Sequence, residues 1–255
     1  IKINYNERIN LMRAIILAAG RGSRMGSLTT ILPKCRTILH GKELLQWQLE
    51  ALDNKKIKKI GLVRGYLAET FNEKISYFEN NRWSESNMVV SLTTANSWLE
   101  AHNCLVSYSD IIYSKDVVNK LIEAKGDVVI TYDPNWEILW SMRFNNPLDD
   151  AETFKLKGDI VVEIGNKANS KKEIEGQFMG LVKFSPNGWK KVSNYIKKFD
   201  QKIIDKMDMT TLLQGIINNG IEVRSVAIKD KWYEVDTEND FKIYEKLDKL
   251  FNAIV

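Results

Sequence analysis

The chain has 255 residues, a formal net charge of +4 and 44% apolar residues, with charges of both signs interspersed. That length supports a substantial core, and the mild positive balance suits a small anionic ligand but is too weak to argue for nucleic acid. With only two cysteines, Cys35 and Cys104, and a sizeable core, no disulfide framework is needed, and no apolar run approaches the ~18–20 residues needed to span a membrane.

Residues 1–12 begin with Ile and end on Met12, and they read as a tail or cloning remnant with no signal-peptide core. A reduced, cytoplasmic setting is therefore expected. Residues 13–19 (RAIILAA) form a continuous apolar run ending at Gly20, the pattern of a strand buried on both faces of a parallel sheet. Residues 43–52 (ELLQWQLEAL) carry apolar positions at helical spacing. The basic cluster at 55–59 reads as a solvated turn leading to a strand at 60–63, which closes on Arg64-Gly65. Residues 87–99 read as one helix, and 104–107 as a third central strand running into Tyr108-Ser109-Asp110. A helix at 117–124 and a strand at 127–132 follow. This alternation argues for an α/β, Rossmann-like doubly wound, mixed but mainly parallel sheet.

Beyond residue 132 the pattern changes. Residues 154–164 (FKLKGDIVVEI) alternate around Gly158-Asp159, a hairpin signal. A strand at 178–184 stops at Ser185-Pro186, and helices are expected at 188–199 and 209–218. Gly220 follows the second, in the usual place for a left-handed helix terminator. Strands at 221–228 and 232–235 and a helix at 240–251 complete the chain. With no repeat, low-complexity segment or linker, residues 13–255 read as a single domain. A phosphate-binding half (13–132) is followed by a hairpin-containing half (133–255).

The stretch ILAAGRGSRMGSLTTILPKC (16–35) carries the first chemistry. Gly20 and Gly22 fit a dinucleotide fingerprint, but Met25 stands where its third glycine belongs, and Val63-Arg64-Gly65 offers no ribose-binding acid. No frame supplies a P-loop. Glycines that admit the backbone to phosphates, Arg24 as a bidentate phosphate ligand and Lys34 as a mobile point charge fit a nucleoside triphosphate. Two cations on one phosphate chain suit stabilisation of moving charge. Cys35 beside Lys34 reads as an incidental thiol.

This stretch resembles the signature of the nucleotidyltransferases that make NDP-sugars and CDP-alcohols. VRGY (63–66), SYSD (107–110), GNK (165–167), EGQFMGLVKF (175–184) and WYEVDTEND (232–240) fall in the family's order. The resemblance implies the nucleotide-diphospho-sugar transferase fold, with residues 133–255 binding the acceptor. It also implies Mg²⁺-dependent condensation of an NTP with a phosphorylated acceptor, releasing pyrophosphate. Lys34 and Arg24 match catalytic positions. Leu17, Ala18, Ala19, Gly20, Gly22, Ser23 and Ser109 match nucleotide-binding ones. Asp110 and Asp236 match the metal carboxylates, as Mg²⁺ takes one or two carboxylates with phosphate oxygens and waters; Asp236 is also placed to cap a helix, a role Thr237 could fill. An acceptor phosphate is ionised at neutral pH, so no general base is needed, and His40 and His102 read as incidental.

SESNMVVSL (84–92) resembles the N-x-x-x-S-L pattern of cytidylyltransferases and lacks the Gln- and Gly-containing segment of dTTP- or GTP-using relatives. Asn87 and Ser91, one helical turn apart, could read cytosine, or Asn87 could cap the helix. Residues 132–156 depart from the phosphocholine enzymes and resemble a subgroup with a Trp-x-x-Leu-Trp-x-x-Arg segment that includes relatives acting on 2-aminoethylphosphonate and other small amino-group acceptors; phosphocholine and 2-aminoethylphosphonate are the leading acceptors expected. Trp136 and Trp140 could face an ammonium or pack in the core. Arg143 could bind an acceptor anion, Lys167 the acceptor phosphate and Glu175 an amine, with Trp232 and Tyr233 walling the pocket. The expected activity is a CTP-dependent cytidylyltransferase. A sugar- or polyol-1-phosphate nucleotidyltransferase and a non-catalytic nucleotide-binding regulator on the same fold are the alternatives.

Overall fold

The computed structural model describes residues 11–247. Most of the tail expected at 1–12 and the end of the helix expected at 240–251 lie outside the described residues, while Met12 opens the first strand. In chain order the main elements begin with β1 (Met12–Ala18), α1 (Leu44–Ala51), β2 (Ile57–Arg64), β3 (Ser76–Glu79), α2 (Met88–Thr93) and α3 (Asn96–Leu99). Next come β4 (Asn103–Tyr108), β5 (Ile111–Ile112), α4 (Lys115–Glu123), β6 (Val128–Asp133) and α5 (Trp136–Arg143). The second half contributes β7 (Glu152–Lys157), β8 (Ile160–Lys167), β9 (Gln177–Phe184), α6 (Pro186–Ile196), α7 (Gln201–Ile204) and α8 (Met209–Asn218). It closes with β10 (Arg224–Ala227), β11 (Tyr233–Glu234) and α9 (Glu238–Glu245).

Among the described residues one sheet has nine strands in the order β3-β2-β1-β4-β9-β6-β10-β8-β7. β1 pairs in parallel with β2 and β4, which explains why Ala14, Ile15, Ile16 and Leu17 are all buried: both faces are covered. β9 runs antiparallel between β4 and β6, so a late strand sits at the centre of the sheet. The hairpin β7-β8 turns at Gly158, whose φ of 66° demands glycine or a strained residue. Two apolar clusters cover the faces, one around Ile16, Leu62 and Leu105 and the other around Ile15, Val63 and Val106; alternate strand residues supply opposite layers.

The helix expected at 87–99 is two short helices. The hydroxyls of Thr93 and Thr94 bond back to the carbonyls of Val90 and Ser91, and Ala95 leaves helical geometry at φ −92°, ψ 17°. The strand expected at 221–228 spans only Arg224–Ala227.

Candidate active site

β1 ends into the glycine loop, and β4 ends into Ser109-Asp110, so both deliver their loops to the carboxyl edge of the sheet, where open α/β sheets bind ligands. The loop's shape follows from Gly22, at φ 69°: a Cβ there would lie 2.7 Å from Cδ of Lys34. Glycine therefore allows the lysine stem to pass directly over the loop backbone. The hydroxyl of Tyr66, past the end of β2, lies 2.9 Å and 2.8 Å from the carbonyls of Thr29 and Thr30 and fastens the far side of the loop.

Lys34, whose side chain is only 9% exposed, stands between Asp110 (2.6 Å) and Asp236 (2.7 Å). Arg24, largely exposed, meets the other oxygen of Asp236 at 2.5 Å. Burial alone would lower the Lys34 pKa, but the charges and hydrogen bonds of Asp110 and Asp236 outweigh it and hold it above its ordinary value. Burial would raise Asp236, yet Lys34 and Arg24 hold it below the usual carboxylate range. β5 and β11 pair with each other, joining the segments that carry these two acids, and the Val235 N–H donates to the Asp110 carbonyl at 2.8 Å. Two acids 126 positions apart in sequence are thus brought to one lysine. Cys35, by contrast, is buried, and burial pushes its thiol up to about 12, far from a reactive thiolate.

A cavity of about 280 Å³ opens above this cluster. Leu17, Ala19, Gly20, Gly22, Ser23, Arg24, Lys34, Asn87, Ser91, Ser109, Asp110 and Asp236 line it, together with Trp83, Ser86, Met88 and Tyr108. Ala18 is buried beneath it in β1. The Asn87 side-chain Oδ1 accepts the Met88 N–H at 2.8 Å and its Nδ2 donates to the Lys206 carbonyl, while the Ser91 hydroxyl accepts from Asn80 at 3.0 Å. Asn87 therefore caps α2 and lines the cavity at once.

A second cavity, of about 230 Å³, shares Arg24, Tyr108 and Asp236 with the first. Its remaining lining is Trp140, Asp150, Glu152, Gln177, Phe178, Asp208, Thr210 and Glu234. Of the residues expected to bind an acceptor, Trp140 alone lines it. Trp136 packs edge-on against Trp140 in the core, and the Trp232 indole N–H donates to Asp133 at 2.9 Å. Tyr233 is buried against Tyr244. Glu175 is exposed and accepts the Leu156 N–H at 2.5 Å, and Lys167 is an exposed residue paired with Glu152 across the hairpin.

The expectation for Arg143 is corrected most fully. Its side chain is 1% exposed; it bonds both oxygens of Asp240, at 3.0 and 3.2 Å, and also contacts Glu234. Asp240 in turn accepts the backbone N–H groups of Asp236 (3.0 Å) and Thr237 (2.8 Å). Arg143 thus supports the segment bearing Asp236 from inside the core. Its place in a tryptophan-rich helix suggested a ligand; its partners in α9 and β11 could not be read from local spacing.

The second cavity's acids were missed individually. Asp150 and Glu152 lie in DDAETFKL, Gln177 and Phe178 in EGQFMG, and Glu234 in WYEVD, but nothing in those motifs singles them out. Asp208 carries only the signature of a helix N-cap, a role it fills for α8.

Whether a divalent cation suits the site can be judged from its donors. Oδ1 of Asp110 is buried without a hydrogen-bond partner, and Asp236 lies across Lys34 from it. Among the described residues no group of three or more potential protein ligands gathers. Two carboxylates fit a hard cation completed by phosphate oxygens and water, as Mg²⁺ commonly is.

The family model for MobA-like NTP transferase domains matches residues 14–153. A CTP:phosphoglutamine cytidylyltransferase of Campylobacter jejuni is 36% identical over 249 residues, spanning 91% of this chain and 98% of that protein. A choline-phosphate cytidylyltransferase of Streptococcus pneumoniae is 32% identical over 137 residues, 46% of this chain and 60% of that protein. The solved inositol-1-phosphate CTP transferase of T. maritima superposes with a TM-score of 0.73 at 18% identity, covering 94% of this chain and 97% of that one, a likeness of fold.

Proposed function

The chain belongs to the MobA-like NTP transferase family, and from that membership we propose that it is a CTP-dependent cytidylyltransferase. It would condense CTP with a small phosphorylated or phosphonylated acceptor bearing an amino or ammonium group, releasing pyrophosphate. The observation that carries the reading is Lys34 between Asp110 and Asp236 in the wall of the first cavity, with Asp236 also lining the second. CTP is favoured because a relative 36% identical over 91% of the chain is named for it. Phosphoglutamine, the acceptor named for that relative, joins phosphocholine and 2-aminoethylphosphonate as candidates. The acid-rich second cavity suits these better than the phosphate of an uncharged sugar. The presence of Lys34, Arg24, Asp110 and Asp236 together counts against a non-catalytic regulator.

In this reading the glycine loop and Ser23 receive the triphosphate through backbone N–H groups. Trp83, Met88, Asn87 and Ser91 surround the base. Asp110 and Asp236 would hold Mg²⁺, which when bound withdraws charge from the α-phosphate. Lys34 and Arg24 trade carboxylate oxygens for phosphate oxygens as the nucleotide enters. An acceptor oxygen attacks the α-phosphorus, the bond to the bridging oxygen breaks, and pyrophosphate leaves with the electron pair. Lys34 and Arg24 follow the charge onto the leaving group and stabilise it. No proton need be removed from an ionised acceptor.

The test is pyrophosphate release measured with each of four nucleoside triphosphates against phosphoglutamine, phosphocholine, phosphoethanolamine, 2-aminoethylphosphonate, inositol phosphate and hexose 1-phosphates. CTP with an amino-bearing acceptor should give the highest rate. Release only with a hexose 1-phosphate, or with a purine nucleotide, would overturn the reading.

A further inference from the structure

We infer that Glu152 and Asp208 set acceptor specificity by binding a primary ammonium group; the inference rests on cytidylyl transfer as the reaction. The cavity they line shares a wall with the nucleotide cavity, so its occupant lies next to the transfer point. Charge inside it is uneven. Asp236 is engaged by Lys34 and Arg24, and Glu234 by Arg143. Asp150 accepts the Trp140 indole N–H at 3.0 Å. Glu152 and Asp208 have no such cover: among the described residues no lysine, arginine or histidine forms an ion pair with either.

What they share instead is one hydroxyl, besides the backbone N–H that Asp208 accepts from Thr211. Oγ1 of Thr210 lies 3.4 Å from a carboxylate oxygen of Glu152 and 3.4 Å from one of Asp208. A hydroxyl has one proton, so it serves only one carboxylate at a time. The positions themselves are fixed. Buried Gln177 brackets the Glu152 backbone, accepting its N–H at 3.2 Å and donating to its carbonyl at 2.5 Å. Asp208 is anchored as the N-cap of α8, accepting the Thr211 N–H at 2.8 Å. Two rigidly held, partly buried acids facing one another without a cation leave the cavity short of a positive charge with N–H donors.

A primary ammonium supplies both; a quaternary ammonium brings charge without N–H groups and would leave those oxygens unsatisfied. Trp140 and Phe178 would then flank the methylene chain that joins the amine to its phosphorus. Burial, then the charge of Asp208, raise the Glu152 carboxyl to about 7. The other charged groups around it are Asp150 before its own strand, Glu234 on β11, Arg24 across the cavity and Lys167 paired on β8. An arriving ammonium restores the carboxylate, so binding near neutral pH releases a proton.

The experiment compares kcat/KM for phosphoethanolamine, phosphocholine and ethyl phosphate with CTP. The native protein should prefer phosphoethanolamine to both others by about tenfold or more. Glu152→Gln and Asp208→Asn should each bring that ratio close to unity; asparagine caps a helix as well as aspartate, so the second variant keeps α8. Calorimetry of phosphoethanolamine binding in buffers of different ionisation enthalpy should show proton release in the native protein and not in Glu152→Gln. A native preference for phosphocholine or ethyl phosphate, an unchanged ratio in both variants, or binding without proton release would overturn the inference. If no acceptor elicits pyrophosphate from CTP, the transfer reading fails, and the calorimetric result still decides the ammonium subsite.

Discussion

Lys34 is a cation whose two partners differ in what they ask of it. In the unliganded arrangement it neutralises Asp110 and Asp236, and in the proposed reaction it neutralises phosphate. Lys34→Met should therefore lower turnover by about a hundredfold or more in a pyrophosphate-release assay. Lys34→Arg should not restore it, because a planar guanidinium fork does not replace the compact ammonium held between Asp110 and Asp236. A variant with native turnover would remove Lys34 from the chemistry. Glu152 gives a prediction of a different kind. Its carboxyl, ordinarily near 4.5, sits at about 7 in the fold, so the native state holds a proton that the unfolded chain has released. Stability should accordingly fall as pH rises from about 4.5 to about 7 and then level off. Glu152→Gln lacks this loss, and relative to the native protein it should gain about 1–3 kcal/mol between acid and alkaline conditions. Denaturant titrations at several pH values would show it, and a constant difference across pH would refute it.

At the scale of elements, α5 joins one cavity to the core: Trp140 lines the second cavity while Arg143 binds α9 and β11. Arg143→Met should cost about 3–5 kcal/mol in denaturant unfolding, because it strands Asp240 and Glu234 as buried acids. Native stability combined with a sharply weakened acceptor KM would return Arg143 to the ligand role its sequence context suggested. The contrast shows which features a sequence carries. Strands β1, β4 and β6, the hairpin β7-β8 and the helix α8 follow from local periodicity and turn residues, and the glycine loop from its spacing. The split between α2 and α3 depends on threonine hydroxyls choosing backbone partners, and β3 is a four-residue edge strand with little apolar alternation. Glu152, Asp208 and the fate of Arg143 depend on contacts between segments dozens of positions apart, which no local pattern encodes.

For the whole molecule, the decisive fact is the place of β9. It comes late in the chain yet lies between β4 and β6, so the strands inside residues 14–153 do not form a continuous sheet by themselves. A fragment ending at residue 153 should show no cooperative thermal transition, whereas the full chain should unfold in one step. A fragment that melts cooperatively would mean that β4 and β6 can close on each other. The shared wall of the two cavities has a broader consequence. Arg24, Tyr108 and Asp236 belong to both compartments, so whatever the nucleotide does to them is felt by the acceptor. Binding of the two substrates is then not independent, and thermodynamics requires the influence to be mutual: the factor by which one nucleotide tightens or loosens the acceptor is the factor by which the acceptor changes the nucleotide. Three shared side chains would thereby make the two affinities rise or fall together, whichever reactant enters first.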